Sequence, residues 1–184
     1  MHFGTQKELE SVSESVVRKA VSMISETGLR TRVQTVIDRR NYRDIENMCD
    51  DAYGMGANRI KFIRLLPVGK AAGDASLIID GIEREEFFGL VDAARARYGK
   101  DELEIVLNGN FGPRKGTRGE RMAAENRYCP SGKEIFAITP DNTVYGCPFL
   151  LDYPIGKYTE EDGIVIEKET LPGIRDRCIA DYLY

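Results

Sequence analysis

Leu29-Arg30-Thr31-Arg32-Val33-Gln34-Thr35-Val36-Ile37 and, further on, Arg59-Ile60-Lys61-Phe62-Ile63-Arg64-Leu65-Leu66 decide the fold class. The first run is rich in β-branched residues, and both read as strands closed by turn formers. Between them Ile45, Met48, Cys49, Ala52 and Tyr53 fall on one helical face, with Asn41 suited to the N-cap and Gly54 and Gly56 to the end. The second strand stops at Pro67 and Gly69. Strands separated by one helix are expected to run parallel, joined by a right-handed crossover.

The alternation continues outward in both directions. Upstream, Leu9, Val12, Val16, Val17, Ala20, Val21 and Ile24 recur at three- and four-residue steps, so residues 8–27 read as an amphipathic helix with Gly28 as its C-cap. Downstream, a loop runs through Asp80-Gly81. Residues 83–98 then read as a helix with Phe87, Phe88, Leu90, Val91 and Ala94 on its apolar side, and Leu103 to Leu107 as a third strand. The character changes at Asn108, where a run through Gly119 holds four glycines and a proline and reads as a loop. Beyond Cys129 the pattern is β-like. Glu134 to Thr139 and Thr143 to Cys147 flank the turn signal Pro140-Asp141-Asn142 and read as a hairpin, with Ile164 to Glu167 a further short strand.

Composition excludes some functions. The 184 residues carry a net charge of -4, so a general nucleic-acid coat is not expected. The basic run Arg114, Lys115, Arg118 and Arg121 reads as a solvated linker, with Glu125 and Asp141 as candidate ion-pair partners. No apolar run approaches the ~20 residues that span a bilayer, and no secretory leader is recognisable at Met1-His2-Phe3-Gly4. A cytoplasmic location is the expectation, and with it reduced thiols.

The four cysteines are Cys49, Cys129, Cys147 and Cys178. Cys49 falls mid-helix on the apolar face and reads as core. Cys129 stands before the first hairpin strand and Cys147 at the end of the second, so antiparallel pairing draws them together. Such a pair suits a cluster that needs converging thiolates. It suits equally two small buried residues at a hairpin base, or a zinc site, although the sole histidine, His2, is remote in sequence.

The segment Cys129 to Cys147 resembles the opening of the SPASM or "twitch" extension of radical SAM enzymes. That pattern is a cysteine, a gap of roughly nine to fifteen residues, a glycine, four residues and a second cysteine, usually before proline. Here 12 residues separate Cys129 from Asn142, 4 more follow, and Cys147-Pro148 comes next. Asn142 replaces the usual glycine, and both residue types tolerate a left-handed turn. Ile138-Thr139-Pro140-Asp141-Asn142-Thr143-Val144-Tyr145 and Ile155-Gly156-Lys157 also look like this family. Upstream, Gly28-Leu29-Arg30 into Gln34-Thr35-Val36-Ile37, and Gly56-Ala57-Asn58-Arg59-Ile60-Lys61-Phe62 into Arg64-Leu65-Leu66-Pro67-Val68-Gly69, resemble the last two strands of the family's partial barrel.

The resemblance implies an α/β chain: the C-terminal part of a parallel (β/α) partial TIM barrel over 1–107, a linker over 108–128, and an incomplete auxiliary cluster region over 129–184. It implies an auxiliary 4Fe-4S cluster on Cys129 and Cys147, with Cys178 as a third ligand. It places Thr35 and Ile37 near the sugar or methionine side of S-adenosyl-L-methionine, and Leu66, Pro67 and Val68 near the adenine. The function implied is that of a fragment or subunit of a radical SAM oxidoreductase or of an enzyme maturing peptides or cofactors, acting on a peptide or small molecule. The family's three-cysteine SAM-cluster loop is absent from this sequence. The chain alone is therefore not expected to be active. S-adenosyl-L-methionine is expected only with the missing N-terminal half, and the expected partner is that half, a partner chain or a second copy. The alternative is a non-catalytic module: a zinc- or cluster-stabilised interaction domain, or a degenerate half-barrel that dimerises.

Overall fold

Period-2 alternation along Arg59–Arg64 sets the inner face of the first sheet: Ile60, Phe62 and Arg64 are buried and the residues between them are half-exposed. This strand, β2, lies between β1 (Arg32–Ile37) and β3 (Glu104–Leu107), and all three run parallel. Thr35 pairs with Phe62, and Phe62 with Leu107. The structure is a computed structural model that describes residues 14–72, 74–99, 101–167, 171, 173 and 176–183. The chain is a mixed α/β protein with two compact units, Met1–Leu65 with Gly73–Phe111 and Leu66–Ala72 with Gly112–Tyr184.

In the first unit, α1 (Glu14–Glu26) precedes β1, α2 (Ile45–Gly54) joins β1 to β2, and α3 (Gly81–Arg97) precedes β3. Their apolar stripes build one core with the sheet: Val17 and Val21 from α1, Ile45, Cys49 and Ala52 from α2, Phe87, Phe88, Val91 and Ala94 from α3. Phe87 stacks on Phe111 with ring centroids 4.6 Å apart and meets Phe62 edge-on at 6.1 Å. Cys49 is fully buried in this core, as its helical position predicts.

The expected elements appear with shifted bounds. The helix read over 8–27 is described from Glu14 and ends at Glu26, the rest of its start lying outside the described residues. Gly28 follows at φ +78° and donates its N–H to Ser25 O at 3.0 Å. The strand read from Leu29 begins at Arg32, because the Thr31 N–H is taken by the Asn58 side chain at 2.9 Å. Asn41 is not the N-cap of α2. Asp44 holds that position, and Asn41 clamps the exit of β1 instead, donating Nδ2 to Val36 O and accepting the Asp38 N–H, both at 2.9 Å.

The glycine-rich run after β3 opens with structure. Gly109–Phe111 forms a short 3-10 turn that buries Asn110 and Phe111. Asn110 Nδ2 donates to Arg64 O at 2.8 Å and its Oδ1 accepts the Arg64 N–H at 3.2 Å, so one amide brackets the last residue of β2. Asn110→Ala is expected to cost about 1–3 kcal/mol, the desolvation penalty of buried groups stripped of a partner. Chemical denaturation checks this, and a loss below ~0.5 kcal/mol would show that the bracket contributes nothing. Further along, Arg118–Ala124 forms α4. Neither acidic partner expected for the basic run is used as expected: Glu125 pairs with Arg127, and Asp141 bonds Thr139 and Thr143.

The second unit is an antiparallel sheet in the order β4 (Ala137–Ile138), β5 (Thr143–Tyr145), β6 (Pro154–Thr159), β7 (Gly163–Ile166). The expected hairpin is its first pair, with shorter strands. Unread in the sequence was β6, whose Pro154 and Gly156 look like breaks. Pro154 heads the strand, where a missing N–H is tolerated. Gly156 is required by close approach, since a Cβ there would sit 2.0 Å from Val165 O.

Candidate metal centre

The base of the β4–β5 hairpin is drawn tight by two glycines. The Gly132 N–H donates to Gly146 O at 3.0 Å, and a Cβ on Gly146 would lie 3.2 Å from Gly132 N and 2.2 Å from Leu171 Cδ1. Ahead of Gly132, the Pro130 carbonyl accepts N–H groups from Lys133, Glu134 and Ile135, closing the loop that carries Cys129 and Ser131. The loop therefore packs beside Gly146-Cys147. Asn142, at φ +64°, makes the turn at the other end, as its tolerance of left-handed backbone predicts.

These constraints bring Cys129 and Cys147 to one hydroxyl. Cys129 Sγ lies 3.3 Å from Ser131 Oγ, and the same buried serine hydrogen-bonds the Cys147 thiol. Burial pushes the Cys147 thiol up, and Cys129 adds to the shift. The Phe149 N–H and the Ser131 hydroxyl act in the opposite direction. Cys178 is buried in the same core, with Cys147, Val144, Leu150, Ile155, Leu171 and Ile179, while Cys129 packs against it half-buried. None of the four cysteines is joined in a disulfide.

Soft thiolate donors that share a protected site fit a thiophilic metal or an iron–sulfur cluster. The fit is partial. Among the described residues no three His, Cys, Asp or Glu side chains come together to hold a metal ion, so Cys178 shares the core without joining the pair.

Asp141 holds the turn that closes the hairpin. It accepts from the hydroxyls of Thr139 and Thr143 and, at 3.4 Å, from the Thr143 N–H. These bonds, the Thr139 hydroxyl foremost, hold its carboxyl below the usual carboxylate range. A depressed folded pKa means that the turn's support is complete above the ordinary carboxylate pKa and is lost as pH falls through the lowered value. A carboxyl NMR titration is expected to give a midpoint below that of a model aspartate, and an ordinary midpoint would contradict the bonding.

In the first unit, Thr35 and Ile37 share the inner face of β1 with Val33. Thr35 is buried, and Ile37 belongs to the apolar core while its carbonyl accepts the Leu65 N–H at 2.8 Å. Leu66 is a core residue of the second unit, Val68 packs against that core, and Pro67 is half-buried. The structure therefore brings together Cys129 and Cys147, and Thr35 and Ile37.

Sequence reasoning missed a buried polar group at the C-terminal edge of the parallel sheet: Asp38 after β1, Arg64 ending β2 and Asn110 after β3. Asp38 accepts from the Arg40 backbone and guanidinium. Arg64 was within reach, because alternation from Ile60 and Phe62 turns it inward. Ser131 had no signal, since only the closed loop brings it to both thiols.

Fold and site define a class: a two-unit α/β protein whose small antiparallel unit carries a thiol pair, Cys147 buried and Cys129 half-buried. No family model matches the chain, and no curated protein matches it either. Among the described residues no helix is long and apolar enough to cross a membrane.

Proposed function

We propose that the chain is the C-terminal part of a radical SAM oxidoreductase or maturation enzyme of the SPASM or twitch type. In this reading the parallel sheet is the end of a partial TIM barrel, and the small sheet is an auxiliary 4Fe-4S region. The observation that carries it is the gathering of three of the four cysteines in the core of the second unit, with Cys129 and Cys147 on one serine hydroxyl. Cys129 and Cys147 would hold the cluster, Cys178 would move in as a third ligand, and a further ligand would come from outside the described residues. The cluster, when bound, supplies electron transfer or a Lewis-acidic anchor for substrate.

The parallel sheet supports the reading through its polar C-terminal edge, where ligands of parallel α/β sheets bind. Thr35 and Ile37 are this unit's contribution to a SAM cavity that a missing N-terminal half would complete, with a peptide or small molecule as substrate and the cytoplasm as setting. A second reading is favoured by the lack of a three-donor group among the described residues: an interaction module without chemistry, in which the thiol pair is packing or a zinc site.

Anaerobic reconstitution of the full chain with iron and sulfide separates the two. The enzyme-part reading expects iron and sulfide retained after desalting, with broad absorbance near 400 nm. Colourless protein, or zinc retained in place of iron, would overturn it.

A further inference from the structure

Among the described residues the hairpin β6–β7 has one side without a strand partner. Within that set β7 is the last strand of its sheet and pairs with β6 alone. Glu167 donates its N–H to Ile155 O at 3.0 Å, so alternation turns the backbone groups of Gly163, Val165 and Glu167 toward β6. The N–H and C=O groups of Ile164 and Ile166 consequently point away from the sheet. Both side chains are exposed, Ile164 at 41% and Ile166 at 47%, and they share a sheet face with Tyr158, which lies opposite Ile164 and is 37% exposed. Val165 on the other face is 38% exposed.

Open edges of this kind are ordinarily blunted by proline, an inward charge, a bulge or a central lysine. None of these lies within Gly163-Ile164-Val165-Ile166. Charge is placed at the two ends instead. Glu160, Glu161 and Asp162 form the turn before β7 and Glu167 follows it, all exposed. With Lys168, which comes next in the sequence, the run from Glu160 to Lys168 holds 4 carboxylates and 1 cation. Lys157 lies one strand in from the edge, opposite Val165. A second copy pairing antiparallel would bring the acidic turn of each chain toward Glu167 of the other, so the charges oppose self-pairing. They complement a strand with basic ends.

We propose that the outer edge of β7 is a docking strand for an extended peptide segment, apolar at its centre and basic at both flanks. Main-chain hydrogen bonds to Ile164 and Ile166 supply affinity. The apolar face of Tyr158, Ile164 and Ile166 and the flanking carboxylates supply selection. The inference stands on the sheet edge alone and is independent of the thiol pair, so either can fail without the other.

The test titrates the full chain into a fluorescein-labelled peptide of alternating valine and threonine flanked by lysine pairs, read by anisotropy. The same peptide flanked by glutamate pairs is run beside it. Saturable binding of the lysine-flanked peptide is expected, at least tenfold weaker for the glutamate-flanked one. Ile164→Pro is expected to weaken binding by a similar factor, because the N–H it removes faces outward and proline is tolerated at such edges. Should that variant fail to fold, Glu160→Lys with Glu161→Lys touches no ladder bond and should weaken the lysine-flanked peptide instead. Absent binding, equal binding of the two peptides, or binding unmoved by the variants would overturn the proposal. So would a dimer in sedimentation that Ile164→Pro disperses, which would assign the edge to a second copy.

Discussion

Phe87→Ala is expected to cost about 3–5 kcal/mol, a large share of the margin of a domain whose total stability is of order 5–15 kcal/mol. Phe87 is fully buried on α3, stacked on Phe111 and edge-on to Phe62 of β2. Three pieces of chain far apart in sequence therefore meet on one ring. Truncation leaves a cavity that backbone on three sides cannot close, so the loss exceeds the transfer free energy of the ring alone. Phe87→Leu keeps most of the volume and should cost much less. Urea unfolding followed by far-UV circular dichroism measures both, and a Phe87→Ala loss under ~1 kcal/mol would mean that the ring is not the junction of the first core.

Cys147→Ser is expected to abolish retained iron and the associated absorbance, and Cys129→Ser to do the same. Each removes half of the thiol pair that shares the Ser131 hydroxyl in the second unit. A serine hydroxyl is a hard donor that does not replace a thiolate at an iron–sulfur site. Cys49→Ser is the internal control. Burial, with Asp50 second, pushes the Cys49 thiol up to about 12, so it stays protonated in the helix core. Its loss should lower stability and leave iron content unchanged. Iron that persists in both single variants of the pair would remove the ligand assignment.

The parallel sheet was legible because its strands and helices carry different periods. Val33, Thr35 and Ile37 alternate, as do Ile60 and Phe62, whereas Phe87, Val91 and Ala94 recur at helical steps. The cap of α2 was not legible, because Asn41 has a stronger claim on it from the end of β1. Nor was β6, since Pro154 and Gly156 look like breaks until Val165 is known to pass within contact of position 156. Phe111 sat inside a glycine-rich run that suggested a bare loop, and only the rings of Phe87 and Phe88 give it a place in the core.

At the site, the pairing of Cys129 with Cys147 followed from hairpin geometry and the motif spacing. Ser131 did not, because its position depends on the Gly132–Gly146 approach, a contact between residues with no side chains to reveal it. Cys178 was named through the family resemblance alone, since its place in the same core comes from the packing of a segment after the sheet, which no local pattern reveals. Arg64 was visible to anyone continuing the alternation past Phe62, and its burial at 5% exposure marks the sheet edge as a place where polar chemistry is kept inside.

The most direct measurement is the iron and sulfide content per chain after anaerobic reconstitution, with Mössbauer spectroscopy to identify the iron species. The predicted result is iron and sulfide in equal amounts, a four-iron cluster signature, and loss of both in Cys129→Ser and Cys147→Ser. Wild-type chain that holds no iron, or that takes up zinc to the exclusion of iron, would contradict the assignment of this thiol pair to an auxiliary cluster.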